Sequence, residues 1–283
     1  GLEQKGKLEY WNRFPPNGPG RIDTFGPYKA LFFDLPAGDS IGTADLPSLW
    51  NQRVRVGMEL HWDGNNASVA ERNFSASIGA GALPATLDHE SLRQIADYIM
   101  DLKPPAYPYP IDKTLAAEGR THYQRYCAAC HDLEGERVGK VEPLQELGTD
   151  PHRVDAFTPE LVERMNTLGT GYDWKFSHFR KTQGYANSLL DGIWLRGPYL
   201  HNGSVPTLWH LLNPKERPAI FYRGDDRIDK KMVGFGWNEP SAGGRNFYRF
   251  DTSQLGNGNA GHEYGAGLSS EEKLALLEYL KTL

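Results

Sequence analysis

The stretch Cys127-Ala128-Ala129-Cys130-His131 constrains this chain more than any other. Two cysteines three apart, with histidine next, is the attachment spacing for haem c. On one helical turn both thiols reach the two vinyl groups of a single porphyrin and form thioethers. His131 then lies beneath the iron, where a ring nitrogen can act as proximal ligand. The rival readings are a redox disulfide, half of a zinc site, or chance. A redox pair wants a thioredoxin-like βαβ setting, which is missing, and no second cysteine pair completes a zinc site. The motif uses both cysteines of the chain, so no disulfide is left to report on compartment.

Length and composition set the remaining bounds. A chain of 283 residues makes one large domain or two ordinary ones. With 31 Gly and 19 Pro, it predicts much loop around modest helix. A net charge of −5 gives no reason to expect a nucleic-acid partner. No apolar run is long enough to span a bilayer. Residues 1–20 are polar and rich in Pro, Gly and aromatics, which is not a signal peptide. The expectation is that a signal was removed, or that the chain starts inside its precursor.

Residues 1–60 are punctuated by Pro15-Pro16, Gly18-Pro19-Gly20, Gly26-Pro27 and Leu46-Pro47, and predict an ordered, loop-rich wrap. His61, beside Trp62 and Asp63, reads either as a haem neighbour or as a hydrogen-bonded structural histidine. A helix is expected to start near Ser68 and to carry Glu71. That carboxylate is a candidate acid/base for peroxide, or one half of an ordinary surface pair with Arg72. Leu92, Ile95, Ala96, Ile99 and Leu102 recur at helical spacing over 88–102, with Asp88 as N-cap. Four prolines within 104–110 then form a stiff linker. The predicted division is 1–103, a linker at 104–111, and 112–283. A helix over 112–131, capped by Asp112, carries the haem motif at its end. Its partner is Ser269–Leu283, where Ser269 and Glu272 form a capping box and Leu274, Leu277, Leu280 and Leu283 a stripe. Short helices are expected at 159–168, 184–192 and 206–212, and a Gly/Asn-rich loop at 234–267.

Gly192-Ile-Trp-Leu-Arg-Gly-Pro-Tyr-Leu-His-Asn-Gly-Ser-Val-Pro-Thr-Leu208 resembles the second-domain signature of the bacterial di-haem cytochrome c peroxidase superfamily. Asn259-Ala-Gly-His-Glu-Tyr-Gly265 resembles its rubber-oxygenase-like branch most. Pro47-Ser-Leu-Trp50, His61-Trp-Asp-Gly64 and Glu71-Arg-Asn73 are similar to the late part of that family's first domain. The resemblance implies a mainly α fold of two cytochrome c-like domains with long loops, the first lacking its haem-bearing opening helix. The Gly119-x-x-x-Tyr123 pair resembles the N-terminal helix of class I cytochromes c, which implies that Gly119 lets the C-terminal helix cross closely, with Tyr123 packed beside it. The di-haem family carries two haem motifs and this chain has one. It is therefore expected to be a piece of a di-haem protein or a relative that lost the first haem.

His131 and His262 are the expected metal ligands, the latter implied by the GHEYG likeness and by its place before the last helix. Met232, His201 and an open sixth position are the alternatives. Arg196, Arg245 and Trp209 are candidates to hold the haem propionates, and Arg196 is the best placed because it lies inside the 192–208 stretch. Trp194 and Trp62 are candidates for relaying electrons. His89, His122, His152, His178 and His210 read as ordinary residues. Three functions follow. The first is an electron-transfer c-type cytochrome with one low-spin, bis-His haem. The second is a fragment or subunit of a di-haem peroxidase or oxygenase, in which this haem relays electrons to a reactive one beside Glu71. The third is a non-catalytic haem subunit of a larger assembly. The expected partners are a redox protein and a further haem-bearing chain, and the expected location is periplasmic or secreted.

Overall fold

The computed structural model describes residues 14–36 and 38–283, with the side chains of Pro27 and Leu31 excepted. Part of the predicted N-terminal wrap, 1–13, lies outside the described residues. From residue 14 to 68 the chain is mostly irregular. Strands β1 (Arg21–Asp23) and β2 (Thr43–Asp45) pair antiparallel within it.

Helix α1 (Val69–Gly79) begins where Ser68 accepts a hydrogen bond from the Glu71 amide, an N-cap that satisfies one orphan donor. Helix α2 (His89–Met100) is capped by Asp88 through the Ser91 amide. Its apolar face is partly covered among the described residues: Leu92, Ala96 and Ile99 are half-buried, whereas Ile95 is 54% and Tyr98 70% exposed. The Pro-rich stretch that follows is extended and packed down. Trp194 Nε1 donates to the Pro105 carbonyl, and the Tyr107 ring meets Trp194 edge-on.

Helix α3 (Lys113–Tyr126) is capped by Asp112, whose carboxylate accepts from the Thr114 and Leu115 amides. Helix α4 (Ala128–His131) is one further turn, offset at Cys127. The last helix, α9 (Ser270–Leu280), carries the full capping box of Ser269 and Glu272. It crosses α3 at Gly119, where any Cβ would run into the Ala275 carbonyl. Tyr123 packs beside the crossing, 5.0 Å from the Tyr279 ring. The buried residues of α9 are Lys273, Ala275, Leu276, Leu277 and Leu280, so Leu276 takes the place expected of Leu274. Each leucine so buried contributes about 1.5–3 kcal/mol.

Four short helices lie between: α5 (Leu144–Leu147), α6 (His152–Ala156), α7 (Pro159–Met165) and α8 (Leu208–Leu212). Five antiparallel pairs occur among the described residues, each of two strands. Beyond β1–β2 they join β3 (Val141–Pro143) to β4 (Gly184–Ala186), and β5 (Ile220–Arg223) to β10 (Tyr248–Asp251). They also join β6 (Ile228–Asp229) to β7 (Gly234–Phe235), and β8 (Ser241–Ala242) to β9 (Arg245–Asn246).

The fold is therefore mixed rather than mainly α, at 35% helix and 12% strand. The reason is backbone hydrogen bonding. Long glycine-rich connections must satisfy their buried amides and carbonyls, and short ladders do so where no helix forms. Residues 184–186, expected to begin a helix, form β4 instead. Gly184 there lies so close to the Glu142 carbonyl that no side chain would fit. The expected loop 234–267 likewise contains β7 to β10.

Two larger apolar cores result among the described residues, with a small third cluster of Leu147, Val154 and Tyr185. One gathers Tyr123, Ile193, Tyr199, Val205, Leu208 and Leu276 around the α3–α9 crossing. The other draws Phe25, Tyr28 and Ile78 from before the linker against Phe157, Leu161, Met165, Trp174, Phe176 and Phe179 from after it.

Candidate haem site

A cavity of about 390 Å³ lies beside the first core. That is within the range of about 300–1,000 Å³ usual for cofactor sites. Leu190, Ile193, Tyr199, Leu208, Leu212, Leu276 and Leu280 give it apolar walls. Cys127, Cys130, His131 and His262 all line it.

The first three arrive by local structure. The Cys127 amide still bonds to the Tyr123 carbonyl, so the chain leaves α3 with helical direction. Cys130 and His131 then both bond back to the Cys127 carbonyl. His131 Nδ1 donates to the Ser188 carbonyl at 2.6 Å. That bond fixes the ring's tautomer and leaves Nε2 with a free lone pair. Burial holds the His131 pKa down, so the ring is neutral, the form that can ligate a metal. Burial also pushes the Cys127 thiol up to about 12 and raises that of Cys130.

His262 arrives on a loop. Its amide donates to the Leu147 carbonyl at the end of α5, 2.8 Å away. Its φ is +50°, a left-handed conformation uncommon outside glycine. Gly261 before it has φ +77°, and a side chain there would strike the backbone of 147–149. Arg217 clamps the loop to the end of α8. It donates to the carbonyls of Asn259 (2.5 Å) and Gly261 (2.9 Å) on one side, and of His210 (3.1 Å) and Leu211 (3.0 Å) on the other. Burial first, and then His131, lowers the His262 pKa to about 4.

The ring centroids of His131 and His262 are 6.1 Å apart. Two imidazoles on opposite sides of one ion, with bonds of about 2.0 Å, place their centroids slightly over 6 Å apart. His262 Nδ1 is buried and has no partner among the described residues. A buried polar atom left so is uncommon unless something absent completes it. The donor set fits haem c: two thiols for the vinyl groups and two neutral imidazoles at ligand spacing.

Arg196 also lines the cavity, donating to the Leu189 carbonyl (2.7 Å) and, more weakly, to Ser188 Oγ. Trp62 is in the wall and donates to the Asp45 carbonyl. Other expected residues are elsewhere. Trp209 does not line the cavity, because its indole N–H is turned to Glu216 (2.8 Å). Arg245 is exposed and paired with Asp226. Met232 is not in the wall. His201 is, but its Nε2 is taken by the Tyr185 hydroxyl at 2.9 Å. Glu71 is buried outside the cavity. Its oxygens accept from Asn66, from the Ser177 amide and hydroxyl, and from the His178 amide and ring. Those bonds hold its pKa down against burial, which makes it a connector between segments rather than a free proton carrier. Sequence reasoning missed Ser188 and Arg217. Both act on or through backbone carbonyls, which leave no mark in side-chain pattern.

Residues 184–222, which supply the Ser188 carbonyl, Arg196 and Arg217, match the family model described as RoxA-like, cytochrome c-like. The chain carries a cytochrome c-like domain. This domain implies covalently attached haem c. The chain is 31% identical to the uncharacterized protein y4iM of Sinorhizobium fredii (strain NBRC 101917 / NGR234), over 68% of this chain and 49% of that protein. It is 30% identical to the uncharacterized protein y4iJ of the same strain, over 64% of this chain and 41% of that protein. The chain thus spans half or less of the length of these curated relatives. No helix among the described residues is long and apolar enough to cross a membrane.

Proposed function

We propose that the cytochrome c-like domain transfers single electrons through one haem c, held covalently by Cys127 and Cys130 and axially by His131 and His262. The observation that carries this reading is the 6.1 Å spacing of the two imidazoles across a cavity that also contains both thiols. The haem would supply reversible one-electron chemistry. The protein's part is to keep both rings neutral, hold each at a fixed place, and surround them with leucine and isoleucine so that water is excluded. If His131 and His262 both ligate the iron, the haem would have no position left for peroxide or dioxygen, which favours electron transfer over catalysis. Arg196 is the candidate partner of a propionate. The protein partner on this reading is a redox protein, and the location extracytoplasmic, where haem c is attached.

The test is His262→Ala. It is expected to convert a low-spin ferric spectrum to high-spin while the covalent haem stays. An unchanged low-spin spectrum would remove His262 from the ligand set.

A second reading has its own support. Ile95 and Tyr98 of α2 are exposed, and the chain spans half or less of its relatives. On this reading residues 1–103 are the remainder of a first cytochrome-like domain, and α2 docks against a further haem-bearing segment. Haem counted per chain in the protein as the cell makes it, by pyridine haemochrome against protein concentration, distinguishes one haem from two.

A further inference from the structure

A second, smaller chamber of about 60 Å³ adjoins the haem cavity and shares with it the walls Trp62, Ala186, Asn187, Ser188 and Arg196. One water needs about 10–15 Å³ on this scale, so there is room for a carboxylate group. Three guanidinium groups line it: Arg55 and Arg72 from before the linker and Arg196 from after it.

The charges do not balance locally. Arg55 is paired with Asp191, and that carboxylate's other oxygen accepts from Asn51. Glu59, the carboxylate in the chamber wall, is held by Arg180 and the Val141 amide. Arg72 and Arg196 pair with no carboxylate among the described residues. Arg72 donates to the Ser48 carbonyl (3.1 Å) and weakly to Asn73 Oδ1. A guanidinium has five N–H groups, so both arginines keep donors with no acceptor among the described residues. Each has its pKa lowered to about 10, by burial first and with Arg55 adding to it. Keeping two such cations together beside an apolar cavity is unfavourable unless an anion completes them. An arginine fork matches a planar carboxylate.

We propose that this chamber is a carboxylate-binding site, and that it takes a propionate of the haem whose iron His131 and His262 hold. The inference rests on the haem reading above and extends it. It assigns Arg72 and Arg55, together with Arg196, to the cofactor's carboxylate edge, in the place expected of Trp209 and Arg245. It also makes segments on both sides of the linker contribute to one haem.

The experiment uses the holoprotein and its Arg72→Gln and Arg72→Lys variants. Covalent haem is measured first as the pyridine haemochrome. Potentiometric titration followed by visible absorbance, and the resonance Raman propionate bending band, are then recorded. Removing a cation near the haem favours the ferric form. Arg72→Gln is expected to shift the ferric/ferrous equilibrium about tenfold toward ferric, a fall of about 59 mV for one electron, and to move the bending band. Arg72→Lys should restore most of the potential. If Arg72→Gln does not accumulate, Arg196→Gln reads the same chamber and the same outcomes apply. Normal haem content with an unchanged potential and band would overturn the propionate assignment. So would a wild-type potential that tracks added acetate at constant ionic strength, since the chamber would then hold a free carboxylate. Wild-type protein without haem c would instead overturn the haem reading itself.

Discussion

His131 and His262 face the same cavity and reach it by opposite means. His131 is the last residue of one helical turn, and its position follows from residues within four places of it, apart from the Ser188 carbonyl. His262 sits on a loop whose shape depends on Leu147, Gly148 and Arg217, dozens of residues away in the chain. A side chain set by a helix moves only if the helix moves. One set by a loop moves when any distant anchor is lost. The two axial positions should therefore differ in how easily they are broken, and that difference is open to test.

The largest effect is expected on the helical side. Cys127→Ser with Cys130→Ser should abolish covalent haem, read as loss of haem stain on a denaturing gel. Gly119→Val should follow. Its side chain would meet the Ala275 backbone at the α3–α9 crossing, and overpacking costs about 3 kcal/mol or more. Denaturant unfolding of the holoprotein would measure it, and a wild-type midpoint would show that the helices do not cross there.

On the loop side, Arg217→Met removes four bonds to carbonyls and leaves those acceptors buried. A loss of about 2–3 kcal/mol is expected. The sharper readout is spectroscopic: a high-spin fraction should appear and be returned to low-spin by added imidazole, because His262 and not His131 has been released. A purely structural role for Arg217 would lower stability and leave the spin state alone. The smallest effect is expected at Trp209, whose indole meets Glu216 at the surface. Trp209→Phe should change stability by less than about 0.5 kcal/mol and leave the potential unchanged. A clear fall in potential would return Trp209 to the haem's surroundings.

What could be read in the sequence follows the same division. The Cys127–His131 spacing, the Asp88, Asp112 and Ser269 caps and the Gly119–Tyr123 face are local patterns, and the structure contains each of them. The 35% helix content departs from the mainly α expectation because pairing partners such as β3 and β4 lie over 40 residues apart. Residues 184–186 have no local signature that separates a strand from a helix. The Glu142 carbonyl opposite decides it. His262 was suggested by the likeness of GHEYG and by its place before the last helix, and the clamp by Arg217 was not legible at all. Trp209 was placed at the haem by residue type, but its rotamer follows Glu216, seven residues on.

The central claim is that protein fills both axial positions. Low-temperature EPR of the ferric holoprotein, integrated against total haem iron and repeated after adding peroxide, tests it most directly. One low-spin species that accounts for all the iron and ignores peroxide is the predicted result. A high-spin component consumed by peroxide would mean an open position on the iron, and would contradict the account.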